Sequence, residues 1–77
     1  MTDKWILVES SNINKIAFDI KSQTLQINFK PDTTYEYKEI PYYIWEGLFS
    51  SPSKGQYFHK FIKNKFDFTK KETQLNG

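Results

Sequence analysis

Few residues in this sequence could perform covalent chemistry. Ser10, Ser11 and Ser53 carry hydroxyls, His59 is the single imidazole, and Asp19 is an acid that could complete a nucleophilic triad. A triad needs its base held beside the nucleophile and oriented by the acid. The spacing predicts His59 on the open face of a helix, where nothing would orient or desolvate it, so the chain reads as a non-enzyme. Metal-assisted hydrolysis draws on several His, Cys or clustered carboxylates. One His, no Cys and no D-x-D or H-x-x-x-H spacing leave no ligand set. No glycine loop of the phosphate-cradling kind is present, and no cofactor is expected.

The residues suited to non-covalent recognition are more numerous, and each has a plainer structural reading beside the functional one. Ser53, Lys54 and Gly55 open a predicted helix whose free N–H groups could hold a phosphate, with Gly55 permitting close approach; the plainer reading is a capping box. His59, Lys60 and Lys63, extended by Lys65, Lys70 and Lys71, form a basic surface that would release counterions on binding nucleic acid, or simply a solvated face. Tyr35 and Tyr37, one residue apart, point to one face of a strand, where they could stack unpaired bases or pack under helices. Ser10, Ser11 and Asn12 have the short polar side chains that close turns.

The elements that must position these groups are limited by length. Seventy-seven residues lie near the lower bound for one unstapled core, so a single domain is expected. Cysteine is absent, which removes disulfides and thiolates together. Seven Phe, five Tyr and two Trp supply the dense apolar area that a small core requires. No stretch approaches the roughly 20 apolar residues of a membrane helix, and the start has no signal-type run, so a cytoplasmic protein with no membrane partner is expected. The net charge is +2, but it is segregated: residues 1–53 carry five Lys against seven acids, and residues 54–71 carry six Lys against Asp67 alone. Every cation is Lys, so anions would be met by point charges rather than by guanidinium forks.

Periodicity divides the chain in two. Ile16, Phe18 and Ile20, then Leu25, Ile27 and Phe29, alternate with polar or small residues and predict a hairpin through Lys21, Ser22 and Gln23. Pro31 suits the second position of a type I turn, after which Tyr35 and Tyr37 resume the period of two. Residues 5–8 either add a short edge strand or pack across the sheet. From Pro41 the period changes: Ile44, Trp45, Leu48 and Phe49 share one helical face. A second helix starts after Ser53, with Tyr57, Phe58, Phe61 and Ile62 on its apolar stripe and Gln56, His59, Lys60 and Lys63 opposite. The fold class is therefore α+β: a three- to four-stranded antiparallel meander followed by two helices packed on one face. Its expected core is Phe18, Ile27, Phe29, Tyr37, Trp45, Leu48, Phe58, Phe61 and Ile62. Residues 1–68 form the expected domain and 69–77 a flexible polar tail.

Taken in order, the run from Ser10 to Ile13, Ile16, Phe18, Asp19, the Leu25–Ile27–Phe29 strand, Tyr35, Tyr37, Ile40, Pro41 and the run from Ser53 to Phe58 resemble the KTSC family over about residues 8–66. That family takes its name from a domain at the C-terminus of some lysyl-tRNA synthetases and includes stand-alone bacterial and phage proteins. The resemblance implies a small module with a suggested link to RNA. Pro31 and Asp32 depart from it where a glycine turn is usual, as does Trp45 where a Tyr is usual. Three functions follow as expectations. The first is a nucleic-acid-binding module, RNA or single strands preferred, acting through the basic helix face. The second is a protein interaction module of phage or prophage origin that engages a host protein through Trp5, Tyr42 and Tyr43. The third is a small-nucleotide or ligand binder at an oligomer interface.

Overall fold

The computed structural model describes residues 4–71. Its strands are β1 (Ile6–Leu7), β2 (Ile13–Asp19), β3 (Thr24–Phe29), β4 (Thr33–Tyr37) and β5 (Phe68–Lys71), and its helices are α1 (Tyr42–Ser50) and α2 (Lys54–Tyr57). A π-helical turn, Phe58–Ile62, continues directly from α2. The strands form one antiparallel sheet in the order β1-β2-β3-β4-β5.

The predicted α+β class holds, with two corrections to its layout. The sheet has five strands, and the helices are inserted between β4 and β5 rather than following the whole meander. Phe68 to Lys71, three of whose residues were expected in a polar tail, pair with β4 through Tyr37↔Phe68 and Tyr35↔Lys70. Residues 72–77 of the expected tail lie outside the described residues. The strand was hidden because all four of its side chains are exposed, so burial imprints no alternation on its sequence. At the other edge, residues 6–7 do form the short strand β1.

Cross-strand partners share a face of the sheet. The register therefore places Ile16, Ile27 and Tyr35 in one row and Phe18, Leu25 and Tyr37 in the next, all facing the helices. Between Ile13 and Lys15 the register shifts by one residue, so Ile13 and Ile16 are both buried although three positions apart. The opposite face carries Lys15, Gln26, Asn28, Thr34 and Glu36. Asn28 is buried there, and it donates to Asp32 Oδ1 and Thr34 Oγ1 (both 3.0 Å) and accepts from Asn14 Nδ2 (2.9 Å). This network ties the turn before β4 to the sheet. The Lys30–Pro31 bond in that turn is cis, where the sequence predicts a type I turn with Pro31 at its second position.

α1 buries Ile44 and Leu48, four residues apart, and stacks Trp45 on Phe18 with centroids 5.2 Å apart and planes 7° from parallel. Phe58 fills the angle between Phe29 and Tyr37, at 5.2 and 5.6 Å. The largest fully buried side chains are all isoleucines and leucines: Ile13, Ile16, Leu25, Ile27, Ile40, Leu48 and Ile62. Phe61 is a correction to the expected core, being 42% exposed, and Ile20 and Phe49 also lie at the surface. Ile20 falls in the hairpin turn. Phe61 is displaced by the wider π turn, which aligns Phe58 with Ile62 and rotates the residue between them outward.

Candidate functional site

Two short polar segments, far apart in sequence, meet at one end of the sheet. Residues 9–12 approach β2, and residues 52–60 form the α1–α2 connection, α2 and the start of the π turn. Together they line an open groove of about 610 Å³ whose walls include Glu9, Ser10, Ser11, Asn12, Ser53, Lys54, Gly55, Gln56, His59 and Lys60.

The first wall is shaped by Ser10. Its Oγ accepts from the backbone N–H groups of Asn12 and Ile13, both at 3.3 Å, and donates to Asn12 Oδ1 at 3.1 Å. This is the local turn closure expected of Ser and Asn. Lys30 Nζ donates to Ser10 O at 2.8 Å and anchors the segment to the β3–β4 turn.

The second wall is built around Ser51 and Ser53. Ser53 Oγ accepts from the Gln56 N–H at 3.4 Å, as a helix cap should. The reciprocal half of the predicted capping box is absent, because the Ser53 N–H donates to Ser51 Oγ at 3.1 Å rather than to the Gln56 side chain. Ser51 Oγ in turn donates to Ser53 O, and Lys54 Nζ donates to Ser51 O at 2.6 Å. Ser53 and Lys54 are thus occupied in shaping the wall. Gly55 is where the two walls touch: a Cβ there would stand 3.0 Å from Asn12 Oδ1.

The predicted site residues therefore separate into three groups. Ser53, Lys54, Gly55, His59 and Lys60 come together in the groove. Lys60 Nζ also rests 5.6 Å from the centroid of Phe61. Lys63 and Lys65 are exposed in the turn beyond the π segment, outside the groove walls. Lys70 and Lys71 lie on β5, with Lys71 Nζ 3.9 Å from Glu36 Oε1. Tyr35 and Tyr37 face the helices, which removes them as a base-stacking platform. Tyr37 is only 4% exposed and packs on Phe58 and Phe68, and Tyr35 is wedged among Phe29, Tyr37 and Phe68. Burial, with a smaller contribution from neighbouring Tyr35, pushes the Tyr37 phenol up to about 12.

Asp19, the acid considered for a triad, is engaged elsewhere. It accepts from the Ser22 hydroxyl at 3.0 Å and the Lys21 N–H at 3.1 Å in the β2–β3 turn, and the Ser22 bond in particular holds its carboxyl below the usual range. No group of three potential metal ligands occurs among the described residues. No described helix is long and apolar enough to cross a membrane. The groove contains six residues that sequence reading did not assign to ligand contact: Glu9, Ser10, Ser11, Asn12, Pro52 and Gln56. The available signal was that two polar runs, Ser10–Asn12 and Ser53–Gln56, both fall within the family resemblance, but their adjacency depends on the sheet register.

Comparison with known proteins agrees with this architecture. The KTSC domain family model matches residues 9–66. A lysine–tRNA ligase of Nostoc punctiforme is 47% identical over 60 residues, covering 78% of this chain and 11% of the ligase, and one of Trichormus variabilis is 45% identical over the same span. The chain thus spans about a tenth of the length of these ligases. The crystal structure of a KTSC domain protein from Yersinia pestis superimposes with a TM-score of 0.86 at 33% identity, covering 90% of this chain and 97% of that one. The chain belongs to the KTSC family.

Proposed function

We propose that this KTSC domain is a non-catalytic module that binds RNA or single-stranded nucleic acid through the groove and the adjoining basic surface. The observation that carries the reading is the meeting of Asn12, Gln56, His59 and Lys60 in one open polar groove, with exposed Lys63 and Lys65 in the turn that follows. Lysines supply counterion release, and the amides and imidazole supply donors and acceptors of the kind that contact unpaired bases. The relatedness to lysine–tRNA ligases supports the same reading, because the name of those enzymes places them with tRNA. Absence of catalysis is part of the proposal. His59 shares the groove with Ser53, but Ser53 Oγ is committed to the helix cap and Asp19 to a hairpin turn.

The test is a salt titration with labelled tRNA, single-stranded RNA and single-stranded DNA. Three to five phosphate contacts would give a slope of log affinity against log salt near −2 to −4, at roughly 0.7 per contact. Reversing Lys60 and Lys63 to Glu together should abolish binding and leave the fold intact, since both side chains are exposed. Absence of binding to all three nucleic acids at about 50 mM salt would overturn the reading.

A second reading, a protein interaction module, is favoured by the exposure of Tyr43 (71%) and Leu7 (81%) and by the partial exposure of Tyr42 and Trp5. Aromatic side chains at the surface are typical anchors of protein interfaces. Salt-tolerant capture of one protein that is lost in Tyr43→Ala would identify it.

A further inference from the structure

The character of the groove narrows the ligand further, and this inference rests on the nucleic-acid reading above. At about 610 Å³ the groove is the size of a small-molecule site. That volume accommodates one nucleotide unit. The charge of the groove points the same way. Two ammonium groups, Lys54 and Lys60, face one carboxylate, Glu9, and the Lys54 ammonium is held on the Ser51 carbonyl. Lys60 is left as the cation for an incoming phosphate, and Glu9 disfavours a run of phosphates.

The remaining walls are amides and an imidazole. Asn12 Oδ1 is occupied by the Ser10 hydroxyl, which orients the amide and leaves Nδ2 as a donor with no partner among the described residues. The Gln56 side-chain amide has no partner among the described residues either, and both residues are exposed. His59 offers a flat ring of the kind on which unpaired bases stack. A carboxamide presents a donor beside an acceptor, which fits the N6 and N7 edge of adenine, and a purine offers His59 a larger face to stack on than a pyrimidine does.

We infer that the groove captures a single unpaired nucleotide, adenine preferred, with Gln56 and Asn12 reading the base edge, His59 against the base and Lys60 on the phosphate. The module is then a reader of one exposed base, with the lysines outside the groove adding general affinity for the chain to which that base belongs.

The experiment is an NMR titration of the whole chain with AMP, UMP and ribose 5-phosphate, alongside the single-stranded RNA used above. AMP should shift the amide signals of residues 9–12 and 52–60 and bind roughly ten-fold more tightly than UMP or ribose 5-phosphate, the discrimination of one good amide–base pair. Gln56→Ala keeps the backbone N–H that caps onto Ser53, and Asn12→Asp keeps an acceptor for the Ser10 hydroxyl. Both should retain the folded spectrum, and each should lose roughly ten-fold in AMP affinity. Equal binding of AMP, UMP and ribose 5-phosphate would reduce the groove to an anion site and overturn the inference. So would RNA binding with no AMP binding, in which case the broader nucleic-acid reading survives. Binding of neither overturns both.

Discussion

The ring of Tyr57 occupies the space beside Gly47 that any Cβ would need, so that α1 and α2 meet through a glycine on one side and a phenol on the other. A helix-interior glycine ordinarily costs up to about 1 kcal/mol relative to alanine, and Gly47→Ala would be stabilising on propensity alone. Here the added methyl must displace a half-buried ring, so a net loss of about 1–3 kcal/mol is expected. In a Tyr57→Ala background the same substitution should become neutral or stabilising. A double-mutant cycle read by urea denaturation checks this, and additivity of the two changes would refute the contact.

The π turn separates two neighbours that a regular helix would place on one stripe. Ile62 is fully buried and Phe61 is not. Ile62→Ala should cost about 2–5 kcal/mol, a large fraction of the stability of a small domain. Phe61→Ala, which removes mainly the ring contact with Tyr57 at 4.6 Å, should cost about 1 kcal/mol. Equal losses in the two variants would mean that the turn is regular α-helix.

At the start of α2, Ser53→Ala removes the acceptor of the Gln56 N–H and should cost about 1 kcal/mol, while Ser53→Gly should cost a few tenths. Because Ser51 rather than the Gln56 side chain satisfies the Ser53 N–H, Gln56→Ala should change stability by no more than about 0.5 kcal/mol. A larger loss would show that the side chain completes the capping box in solution.

Tyr37 makes stability dependent on alkaline pH. Its folded-state value of about 12 lies above the ordinary value of 10, so the unfolded chain loses this proton first. The contribution is whole below pH 10 and falls as pH rises toward 12, by about 2 kcal/mol. Tyr37→Phe keeps the ring and removes the proton, so the difference between the urea midpoints of the two proteins should narrow or reverse across that window. A constant difference would show that the phenol is solvated in the fold.

Much of the fold is legible in the sequence because burial on one side imprints a period. Ile16 and Phe18 pair with Ile27 and Leu25 as the alternation requires, and Ile44 and Leu48 face the sheet at helical spacing. The places where reading failed are those where no such imprint exists. β5 is exposed on both sides. In the π turn, the spacing of Phe58, Phe61 and Ile62 fits a regular helix equally well, and backbone pairing chose the wider turn with the Lys63 N–H donating to Phe58 O. The bulge at Asn14 likewise breaks the period of two without leaving a glycine or proline to mark it.

The composition and order of residues determined by themselves that this is a cysteine-free α+β domain rich in aromatic residues, with a helix capped by Ser53 and a basic C-terminal third. These properties depend on side-chain type and local spacing, which the chain carries wherever it goes. Which polar residues meet was decided only in three dimensions. Asn12 touches Gly55, 43 positions later in the numbering, because the β2–β3–β4 register and the α1 packing bring the two segments to one end of the sheet. Phe61, expected in the core, was left at the surface by the same packing. A ligand groove assembled from distant segments has no local signature, since the free energy that holds it together lies in the sheet and core beneath it rather than in the residues that line it.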